Sequence, residues 1–366
     1  MQNAVETSSN RLRTDNRSFI AGPEDGILIT GASGFIGVRL VKHLLERGFR
    51  NIRCFTRPSS NGAMLNALRG RPDDARVEVI TGNLLSREDC AVATRNAAII
   101  FHLAAGRGEK SFPDAFMNSV VTTRNLLEAS VTHQCLRRFV NISSFSVYSN
   151  SHKSRWRLLD ESCPVEPHPE LCGDAYSFAK LKQDAMVIAC CNQFGIPHVI
   201  VRPGYVIGPG KPGITGRVGI STFGFFMHLG GPNQLPLTYV DNCAEAIALA
   251  GLMKGVEGEV FNVVDDDLPS SRRFLRLYKQ NVRPFKSIYV PHFLSYASCC
   301  LWEWYSHWSQ GQLEPVFNRR LWHRYWKRTH YSNDKLKLRL GWTPRVSMAD
   351  GLRRYFDSCR VGTGHP

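Results

Sequence analysis

The chain has 366 residues, of which 43% are hydrophobic and 10% aromatic, and its formal net charge is +15. This length and apolar content suffice for one large core or two coupled cores, which excludes a mini-domain and a disordered basic tail protein. The 11 cysteines are odd in number and contain no Cys-x-x-Cys. We therefore predict reduced thiols in a cytoplasmic protein, and no zinc or other metal site.

Residues 1–25 are polar and predict a flexible tail without the apolar core of a signal peptide. Nowhere does the chain offer the roughly 18 consecutive apolar residues that a spanning helix needs, so the sequence predicts no integral membrane protein of that kind.

A glycine-rich turn follows the first predicted strand, at residues 27–30, and precedes a segment with helical apolar spacing. Strand, glycine turn and helix in this order are typical of a dinucleotide site, because glycines let the backbone approach the pyrophosphate and the helix N-terminus binds it. An ordinary loop is the alternative interpretation. The predicted cofactor contacts in the turn are Gly31, Ser33, Gly34, Phe35, Ile36 and Gly37.

The second predicted strand, at residues 51–55, leads to Arg57, where a NAD site usually has an acid for the ribose 2′-hydroxyl. An arginine suits a 2′-phosphate, so the sequence favours NADP over NAD, with a solvated surface arginine as the alternative. Two further predicted strands lead into Asn83-Leu84 and into His102-Leu-Ala-Ala105. Small residues after the latter strand leave room for a cofactor ring.

A catalytic group is predicted after the fifth strand, residues 139–142, which is followed by Ser144. Beyond a loop, Tyr176 and Lys180 are four residues apart and share one face of a predicted helix. An adjacent ammonium favours the phenolate of a tyrosine, whose usual pKa is about 10. Tyr176 could then exchange a proton with a substrate hydroxyl that Ser144 also holds, while Lys180 bonds the cofactor ribose. The alternative is a surface pair on a helix.

The order of these blocks resembles that of the extended short-chain dehydrogenases/reductases of the NAD-dependent epimerase/dehydratase group. The resemblance extends over residues 26–357. Its remaining blocks are Asn118 ahead of Asn125-Leu-Leu-Glu-Ala129, Ser143-Ser-Phe-Ser-Val-Tyr148, Arg202-Pro-Gly204, Gly208-Pro-Gly210, Tyr239-Val-Asp241 and Leu340-Gly-Trp-Thr-Pro344.

The resemblance implies a role for each matching position. Ser144, Tyr176 and Lys180 are the implied catalytic residues, with Asn118 behind them as a support or relay. The implied cofactor contacts are Gly31, Gly34 and Gly37 at the pyrophosphate, Arg57 at the adenosine ribose, Asn83 and Leu84 at the adenine, Leu103, Ala104 and Ala105 beside the nicotinamide, and Arg202 and Pro203 where a strand closes the pocket.

The resemblance and the element order predict a doubly wound parallel α/β sheet, a Rossmann fold, with a smaller C-terminal substrate domain. We expect a dinucleotide-binding domain at residues 26–206, to which residues 237–263 return. The substrate domain is expected at residues 207–236 and 264–357, followed by a tail at 358–366. Members of the family often dimerise through the helix that carries the catalytic tyrosine, which implies a homodimer as one form of the protein.

Two departures from the family pattern bear on the substrate. Sugar-nucleotide enzymes of the group commonly have Arg-Asp-Phe where this chain has Leu235-Pro-Leu237, so a diphosphate contact is missing unless Arg217 replaces it. Dehydratases tend to have an acid where Phe145 stands, which disfavours dehydration.

We therefore predict NAD(P)-dependent interconversion of a secondary alcohol and a ketone on a small-molecule substrate, with a sterol-like or other apolar alcohol as one class. The alternatives are a nucleotide-sugar epimerase that holds NAD tightly, a flavonoid-type or aldehyde reductase, and a non-catalytic NAD(P)-binding scaffold.

The C-terminal half is basic and rich in tryptophan. Residues 267–330 contain 11 of the 46 Lys and Arg residues, against three acids, and five of the 7 tryptophans. One interpretation is peripheral membrane contact through residues 287–328, with residues 319–328 as a basic flank. The more ordinary interpretation is a substrate-domain helix whose aromatic residues pack into a core while the basic residues are solvated. We predict no nucleic-acid partner, because no nucleic-acid motif accompanies the charge.

Overall fold

A computed structural model describes residues 18–60, 62–69, 76–106, 111–150, 158–171, 174–222, 224–309 and 318–362. The strands in these ranges are β1 Ile27–Thr30, β2 Asn51–Thr56, β3 Arg76–Thr81, β4 Ile99–His102, β5 Arg138–Ile142, β6 Leu158–Leu159, β7 His198–Pro203, β8 Tyr205–Ile207, β9 Gly219–Thr222, β10 Phe225–His228, β11 Leu237–Tyr239, β12 Val260–Val263, β13 Ser287–Tyr289 and β14 His330–Tyr331.

The helices flank and extend this framework. They are α1 Gly37–Glu46, α2 Ala63–Arg69, α3 Arg87–Thr94, α4 Phe112–Phe116, α5 Thr122–Val131, α6 Ala175–Phe194, α7 Val240–Leu252, α8 Ser271–Asn281, α9 His292–Trp308, α10 Arg319–Tyr325, α11 Asp334–Leu340 and α12 Met348–Gly362. A π-helical turn, Met117–Val121, joins α4 to α5, and short 3-10 turns lie at Phe145–Val147 and Pro169–Leu171. Across the described ranges, none of these helices is long and apolar enough to span a bilayer.

A seven-stranded sheet with the order β12-β7-β5-β4-β1-β2-β3 forms the centre of the molecule. Every neighbouring pair in it is parallel. The chain starts at β1, winds outward to β3, and then crosses back to wind the other way from β4 to β12. The predicted doubly wound Rossmann fold is therefore confirmed. Strands β1, β4, β5 and β7 are buried along their whole length, as expected of parallel strands covered by helices on both faces.

Three small sheets lie outside the central one. They pair β8 with β11, β6 with β14, and β10 with both β9 and β13. Strand β12, by contrast, pairs with β7 at the edge of the central sheet. The segment that precedes β12 thus leaves the dinucleotide half and comes back to it, while the exact domain bounds stay a prediction.

Both predicted tails are shorter than the sequence suggests. Phe19 is buried and pairs with Met253, and the Ile20 backbone nitrogen donates to the Leu252 carbonyl at 2.9 Å. At the other end, α12 continues to Gly362 and buries Cys359 completely. Because these apolar side chains are buried, the folded unit begins before residue 26 and ends after residue 357. Residues 1–17 and 363–366 of the predicted tails lie outside the described ranges.

Candidate functional site

The glycine turn between β1 and α1 lies against the end of β4. Gly31 has a φ of +69°, and a Cβ atom on it would lie 2.9 Å from the Ala104 backbone nitrogen. A side chain at this position would therefore separate the turn from Leu103 and Ala104. The structure brings together the segments predicted to hold the pyrophosphate and the nicotinamide.

The start of α1 is open to an anion. Its N-cap residue, Ile36, makes no side-chain hydrogen bond to the first turn, so no N-cap side chain occupies the helix N-terminus, where the helix dipole favours an anion. Gly37 packs against the turn so closely that a Cβ atom there would lie 2.3 Å from the Gly31 carbonyl oxygen. The helix can only reach this position because residue 37 has no side chain.

Two cations that the sequence analysis did not single out lie beside this turn. The Arg39 guanidinium donates to the Phe35 carbonyl at 3.2 Å and to the Pro209 carbonyl at 3.0 Å. The Lys211 ammonium is 5.8 Å from the centre of the Phe35 ring. The segment that contains Gly208 therefore lies over Phe35 and brings positive charge to the predicted phosphate site. Arg39 could have been found as the first cation of the helix, whereas Lys211 lies in a distant part of the sequence and depends on the fold.

The predicted adenosine contacts lie after β2 and β3. Arg57 is exposed, and its side chain makes no hydrogen bond or ion pair within the described ranges. Asn83 is also exposed, and its Oδ1 accepts from the Leu85 backbone nitrogen at 3.0 Å. Asn125 on α5 donates to the carbonyls of Leu84 and Leu85, both at 3.1 Å. Asn125 therefore fixes the loop predicted to face the adenine.

A nicotinamide dinucleotide fits this cradle. The turn would clash with a Cβ at Gly31 and Gly37, the helix start has no side-chain cap, and Arg57 is free of described partners at the position of a 2′-phosphate. The first two observations belong to the end of β1 and the third to the end of β2, and all lie at the carboxyl edge of the sheet. Ligands of open α/β sheets bind at this edge.

The predicted catalytic residues belong to adjacent elements. Lys180 on α6 is 4% exposed, and its Nζ donates to the Ile142 carbonyl at 2.6 Å. Ile142 ends β5, two residues before Ser144, whose Oγ is partly exposed and accepts from the Ser146 backbone nitrogen at 3.2 Å. One turn before Lys180, the partly exposed Tyr176 shares its helix face. Lys180 thus fastens the tyrosine helix to the strand that leads into Ser144.

The start of α6 is held from the C-terminal half of the chain. Asp174 caps the helix, because its Oδ1 accepts from the Ser177 backbone nitrogen at 2.7 Å. Arg324 on α10 donates to Asp174 Oδ2 at 2.9 Å and to Ser177 Oγ at 3.0 Å. Tyr176 therefore lies in the first turn of a firmly capped helix, where the helix dipole favours negative charge.

Asn118 lies in the π-helical turn between α4 and α5. Its carbonyl accepts from Thr122 Oγ1 at 3.0 Å, and the neighbouring Ser119 Oγ accepts from the Gly106 backbone nitrogen at 3.1 Å. A π-turn widens the helix and leaves carbonyls for side-chain donors, and such turns are frequent at functional sites. Gly106 directly follows the predicted nicotinamide segment, so the π-turn contacts the chain beside that segment through Ser119, while the role of Asn118 stays a prediction.

A buried hydrogen-bond chain extends from Lys180 into the sheet. Gln183 Oε1 accepts from Lys180 Nζ at 2.8 Å, and Gln183 Nε2 donates to Thr123 Oγ1 at 2.7 Å. The single hydroxyl hydrogen of Thr123 points to the Ser119 carbonyl, at 2.5 Å. Because that hydrogen is used, Thr123 must accept from His102 Nε2, which lies at 2.7 Å. His102 therefore carries its proton on Nε2.

The same chain ends at the cofactor segment. His102 Nδ1 accepts from Thr30 Oγ1 at 2.8 Å, and Thr30 Oγ1 accepts from the Ala104 backbone nitrogen at 3.3 Å. Burial, with a smaller contribution from the charge of Lys180, lowers the pKa of His102 to about 3. The imidazole is neutral. Each hydrogen bond between Lys180 and Ala104 therefore has an assigned donor and acceptor.

We predict that His102 makes the protein sensitive to acid. The folded pKa is far below the usual 6.5, so the unfolded chain binds a proton that the folded chain excludes. The free energy of unfolding then falls by about 1.4 kcal/mol per pH unit below about pH 6.5, or about 2.7 kcal/mol down to pH 4.5. His102→Gln keeps an acceptor and a donor but does not titrate. Urea unfolding from pH 7 to 4.5 should show a shallower decline in this variant.

Other buried groups titrate in this range but do not change between the two proteins. Burial raises the pKa of Asp265 to about 6 and lowers that of His228 to about 4, and these two effects on the pH dependence have opposite signs. Only the difference between the wild type and His102→Gln isolates His102. Parallel curves for the two proteins would contradict the prediction.

Arg202 and Asp184 form a buried pair beneath the site. The Arg202 guanidinium is 3.2 Å from Asp184 Oδ2 and 4.8 Å from the centre of the Tyr148 ring. Asp184 also accepts from Ser143 Oγ at 2.7 Å. Burial, partly opposed by Arg202, raises the pKa of Asp184. The pair joins α6, β5 and β7, while the contact of Arg202 and Pro203 with the cofactor stays a prediction.

The residues at the two departures from the sugar-nucleotide pattern are buried. Leu235 and Leu237 are at most 1% exposed, and Phe145 stacks on Tyr331 with ring centres 5.7 Å apart. Arg217 donates to the Arg324 carbonyl at 2.8 Å and lies 5.1 Å from the centre of the Tyr325 ring. Arg217 is thus engaged within the C-terminal half. The described residues include no group of three or more His, Cys, Asp or Glu side chains that could hold a metal ion.

Comparison with known proteins gives the family. Residues 27–263 match the model of the NAD dependent epimerase/dehydratase family. A 3-beta-hydroxysteroid dehydrogenase from Mycolicibacterium neoaurum is 26% identical over 351 residues, which cover 90% of this chain and 91% of that protein. A 4-hydroxy-2-methyl-3-oxo-4-farnesyl-3,4-dihydroquinoline-1-oxide ketoreductase from Stigmatella aurantiaca is 26% identical over 251 residues, 68% of this chain and 71% of that protein.

A solved structure has the same fold. The crystal structure of UDP-glucuronic acid 4-epimerase from Bacillus cereus in complex with NAD has a TM-score of 0.68 and 22% identity, covering 92% of this chain and 99% of that one. The family match extends over well more than half of the chain, from β1 through β12. The protein therefore belongs to the NAD dependent epimerase/dehydratase family and is an enzyme of the extended short-chain dehydrogenase/reductase type.

Proposed function

We propose that the protein interconverts a secondary alcohol and a ketone with NAD(P), using Ser144, Tyr176 and Lys180. The observation that carries the proposal is the position of Lys180. Its buried ammonium bonds the carbonyl two residues before Ser144 and lies one helical turn from Tyr176. Few structural roles require a buried lysine at this point, because burying an ammonium without a full set of partners is costly.

A nicotinamide dinucleotide bound in the glycine cradle supplies the hydride acceptor or donor. In this proposal Tyr176 Oη takes the proton of the substrate hydroxyl during oxidation and returns it during reduction. Ser144 Oγ holds the same substrate oxygen. Lys180 bonds the cofactor ribose, and its hydrogen bonds to Ile142 and Gln183 fix the direction of its side chain. Asn118 supports the group from the π-turn.

We propose an apolar substrate. The positions at which sugar-nucleotide enzymes carry a diphosphate arginine hold buried leucines, and Arg217 is engaged with Arg324 and Tyr325. Arginine is well suited to a diphosphate because it donates two parallel hydrogen bonds. Two relatives, the hydroxysteroid dehydrogenase and the farnesyl dihydroquinoline ketoreductase, are named for apolar substrates. A sterol-like alcohol or another large apolar ketone fits these observations.

The first experiment is mass spectrometry of the cofactor released from the purified protein, followed by titration with NADP and NAD. We expect protein that exchanges cofactor freely and that oxidises or reduces hydroxysteroids or prenylated ketones, seen as a change in nicotinamide absorbance. NAD that resists dialysis, together with turnover of UDP-sugars without net redox change, would favour the epimerase alternative. Cofactor binding without turnover of either class would favour the scaffold alternative.

We further propose that NADP is the preferred cofactor, because Arg57 is exposed and has no described partner at the end of β2. The variant Arg57→Leu should bind NADP about tenfold or more weakly and should bind NAD as well as the wild type does, since only NADP carries the 2′-phosphate. Titration of both cofactors by protein fluorescence measures this. Arg87→Leu, on α3, is the control for loss of one exposed arginine. Equal losses for both cofactors would contradict the preference.

A further inference from the structure

Helix α9 buries its small and polar side against the protein and exposes its large apolar side. The buried residues are small or polar: Ser295, Cys299 and Ser306. The residues on the opposite side are large and apolar, and they are exposed: Phe293 by 68%, Leu301 by 66%, Trp304 by 65% and Trp308 by 69%. At about 100° per residue, these four fall within one arc of roughly 80°.

We call this arc the outer face; it consists of Phe293, Ala297, Leu301, Trp304 and Trp308, with Leu294 and Tyr305 at its border. It carries no charged residue. The helix has one acid, Glu303, which pairs with Arg319 at 2.8 Å and lies outside the arc. A continuous patch of exposed tryptophan, phenylalanine and leucine is rare on a surface that faces only water, and marks a binding surface.

A row of basic residues lies next to the outer face. Arg272, Arg276 and Lys279 follow at i, i+4 and i+7 on α8 and therefore share one side of that helix; we call them the basic ridge. Lys279 Nζ donates to Ser287 Oγ at 2.6 Å, and the Arg272 guanidinium is 5.4 Å from the centre of the Tyr289 ring. The ridge thus runs beside β13, which leads directly into α9.

The basic ridge is not neutralised locally. Residues 268–302 contain six lysines and arginines and no acid. Within the described ranges, neither Arg272 nor Arg276 forms an ion pair. Both residues are exposed. The ridge therefore presents positive charge to the solvent.

Gly231 connects the two features. The Arg272 backbone nitrogen donates to the Gly231 carbonyl at 2.9 Å. A Cβ atom on Gly231 would lie 3.1 Å from the Tyr289 ring and 3.3 Å from His292 Nε2. The first residue of the ridge and the first residue of α9 therefore contact the same glycine, one residue before the outer face begins at Phe293.

The basic residues of the flank predicted at residues 319–328 are mostly paired within the protein. The pairs are Arg319 with Glu303, Arg320 with Glu166, Arg324 with Asp174, and Lys327 Nζ with the Asn150 carbonyl. These pairings offset much of the charge of the flank, whereas within the described ranges Arg272 and Arg276 of the basic ridge form no ion pair.

We propose that the outer face and the basic ridge form a docking surface for a lipid bilayer with anionic headgroups. Tryptophan, tyrosine and phenylalanine favour the boundary between headgroups and acyl chains, and a neighbouring row of arginines complements anionic lipids. Helix α9 would lie in the plane of the interface with Trp304 and Trp308 inserted. The contact does not require the redox assignment, and it would bring an apolar substrate to the enzyme from the lipid phase.

The test is flotation of the full-length protein with vesicles of phosphatidylcholine alone or of equal parts phosphatidylcholine and phosphatidylglycerol. At low salt, we expect the protein to partition about tenfold or more strongly onto the anionic vesicles than onto vesicles of phosphatidylcholine alone. This partitioning should decline as salt is added. The double variant Trp304→Gln, Trp308→Gln should reduce partitioning about tenfold or more. The double variant Arg272→Gln, Arg276→Gln should reduce it on the order of 20-fold, on anionic vesicles only.

Matched controls separate docking from general effects. Leu338→Gln removes an apolar side chain that is 84% exposed on α11. Arg87→Gln with Arg124→Gln removes two surface charges that bind Glu128 on another part of the molecule. Both controls should partition like the wild type, and thermal melts should be similar for all variants.

Two results would overturn the proposal. One is equal partitioning of the wild type and the tryptophan variant, or no partitioning of the wild type at all. The other is a change from dimer to monomer on substitution of the two tryptophans, seen by analytical ultracentrifugation, with vesicle binding unchanged. The second result would make the outer face a contact between two copies of the chain.

Discussion

Replacing Tyr176 with phenylalanine should lower kcat by about a thousandfold or more while NADP and NAD bind as before. Positioned acid–base groups contribute about 10²- to 10⁴-fold to catalysis, and phenylalanine removes only the oxygen that exchanges the proton. The ring continues to fill its place at the start of α6, where Asp174 and Arg324 fix the helix. Turnover of the substrate found in the screen, followed by nicotinamide absorbance, measures the loss.

Tyr305→Phe provides the matched control. Tyr305 is 42% exposed on α9, outside the candidate site, and its loss of a hydroxyl should leave turnover of a soluble substrate unchanged. Full activity of Tyr176→Phe would rule out proton transfer by Tyr176 and would favour another acid–base group. A loss of cofactor affinity together with activity would indicate instead that Tyr176 acts mainly in binding.

The parts of the site that the sequence predicted are those with local signals. Gly31 and Gly37 are required by a turn seven residues long, and Tyr176 and Lys180 are one helical turn apart. Each pattern is complete within one or two adjacent elements, so it is visible without the fold. The doubly wound sheet follows from the same alternation of strands and helices, because parallel strands need helical crossovers.

The parts that the sequence did not predict depend on contacts between distant segments. Gln183 meets Thr123 across 60 residues, and Arg324 meets Asp174 across 150. A glutamine or threonine has no distinctive spacing in the chain, and only the packing of α5 against α6 makes the pair part of the site. The neutral form of His102 likewise follows from complete burial beside Lys180.

Helix α9 shows a different limit. Periodicity reveals that a helix has an apolar face but not the direction in which that face points. The ordinary interpretation, aromatic residues packed into a core, is correct for Trp322 and Trp326, which are buried, and wrong for Trp304 and Trp308, which are exposed. The direction is decided by the small residues Ser295 and Cys299 and by Trp322, whose Nε1 donates to Ser295 Oγ at 2.9 Å.

Gly37→Ala should weaken cofactor binding about a hundredfold and destabilise the fold by about 1–3 kcal/mol. The added methyl would lie 2.3 Å from the Gly31 carbonyl oxygen and 2.7 Å from the Ala32 Cα, and both neighbours are backbone atoms that cannot rotate away. Overpacking of this kind moves the backbone at a cost of about 1–3 kcal/mol. Because backbone N–H groups of this turn are the predicted phosphate donors, a shift of α1 should weaken the pyrophosphate contact directly.

Gly216→Ala is the matched control, since a Cβ atom at Gly216 meets nothing within 4 Å. It should change neither the melting temperature nor the dissociation constants for NADP and NAD by more than experimental error. Calorimetric titration and thermal melts of the two variants separate the two effects of Gly37→Ala. A variant that melts early but binds NADP normally would show that Gly37 serves helix packing alone, and that the cofactor does not depend on the start of α1.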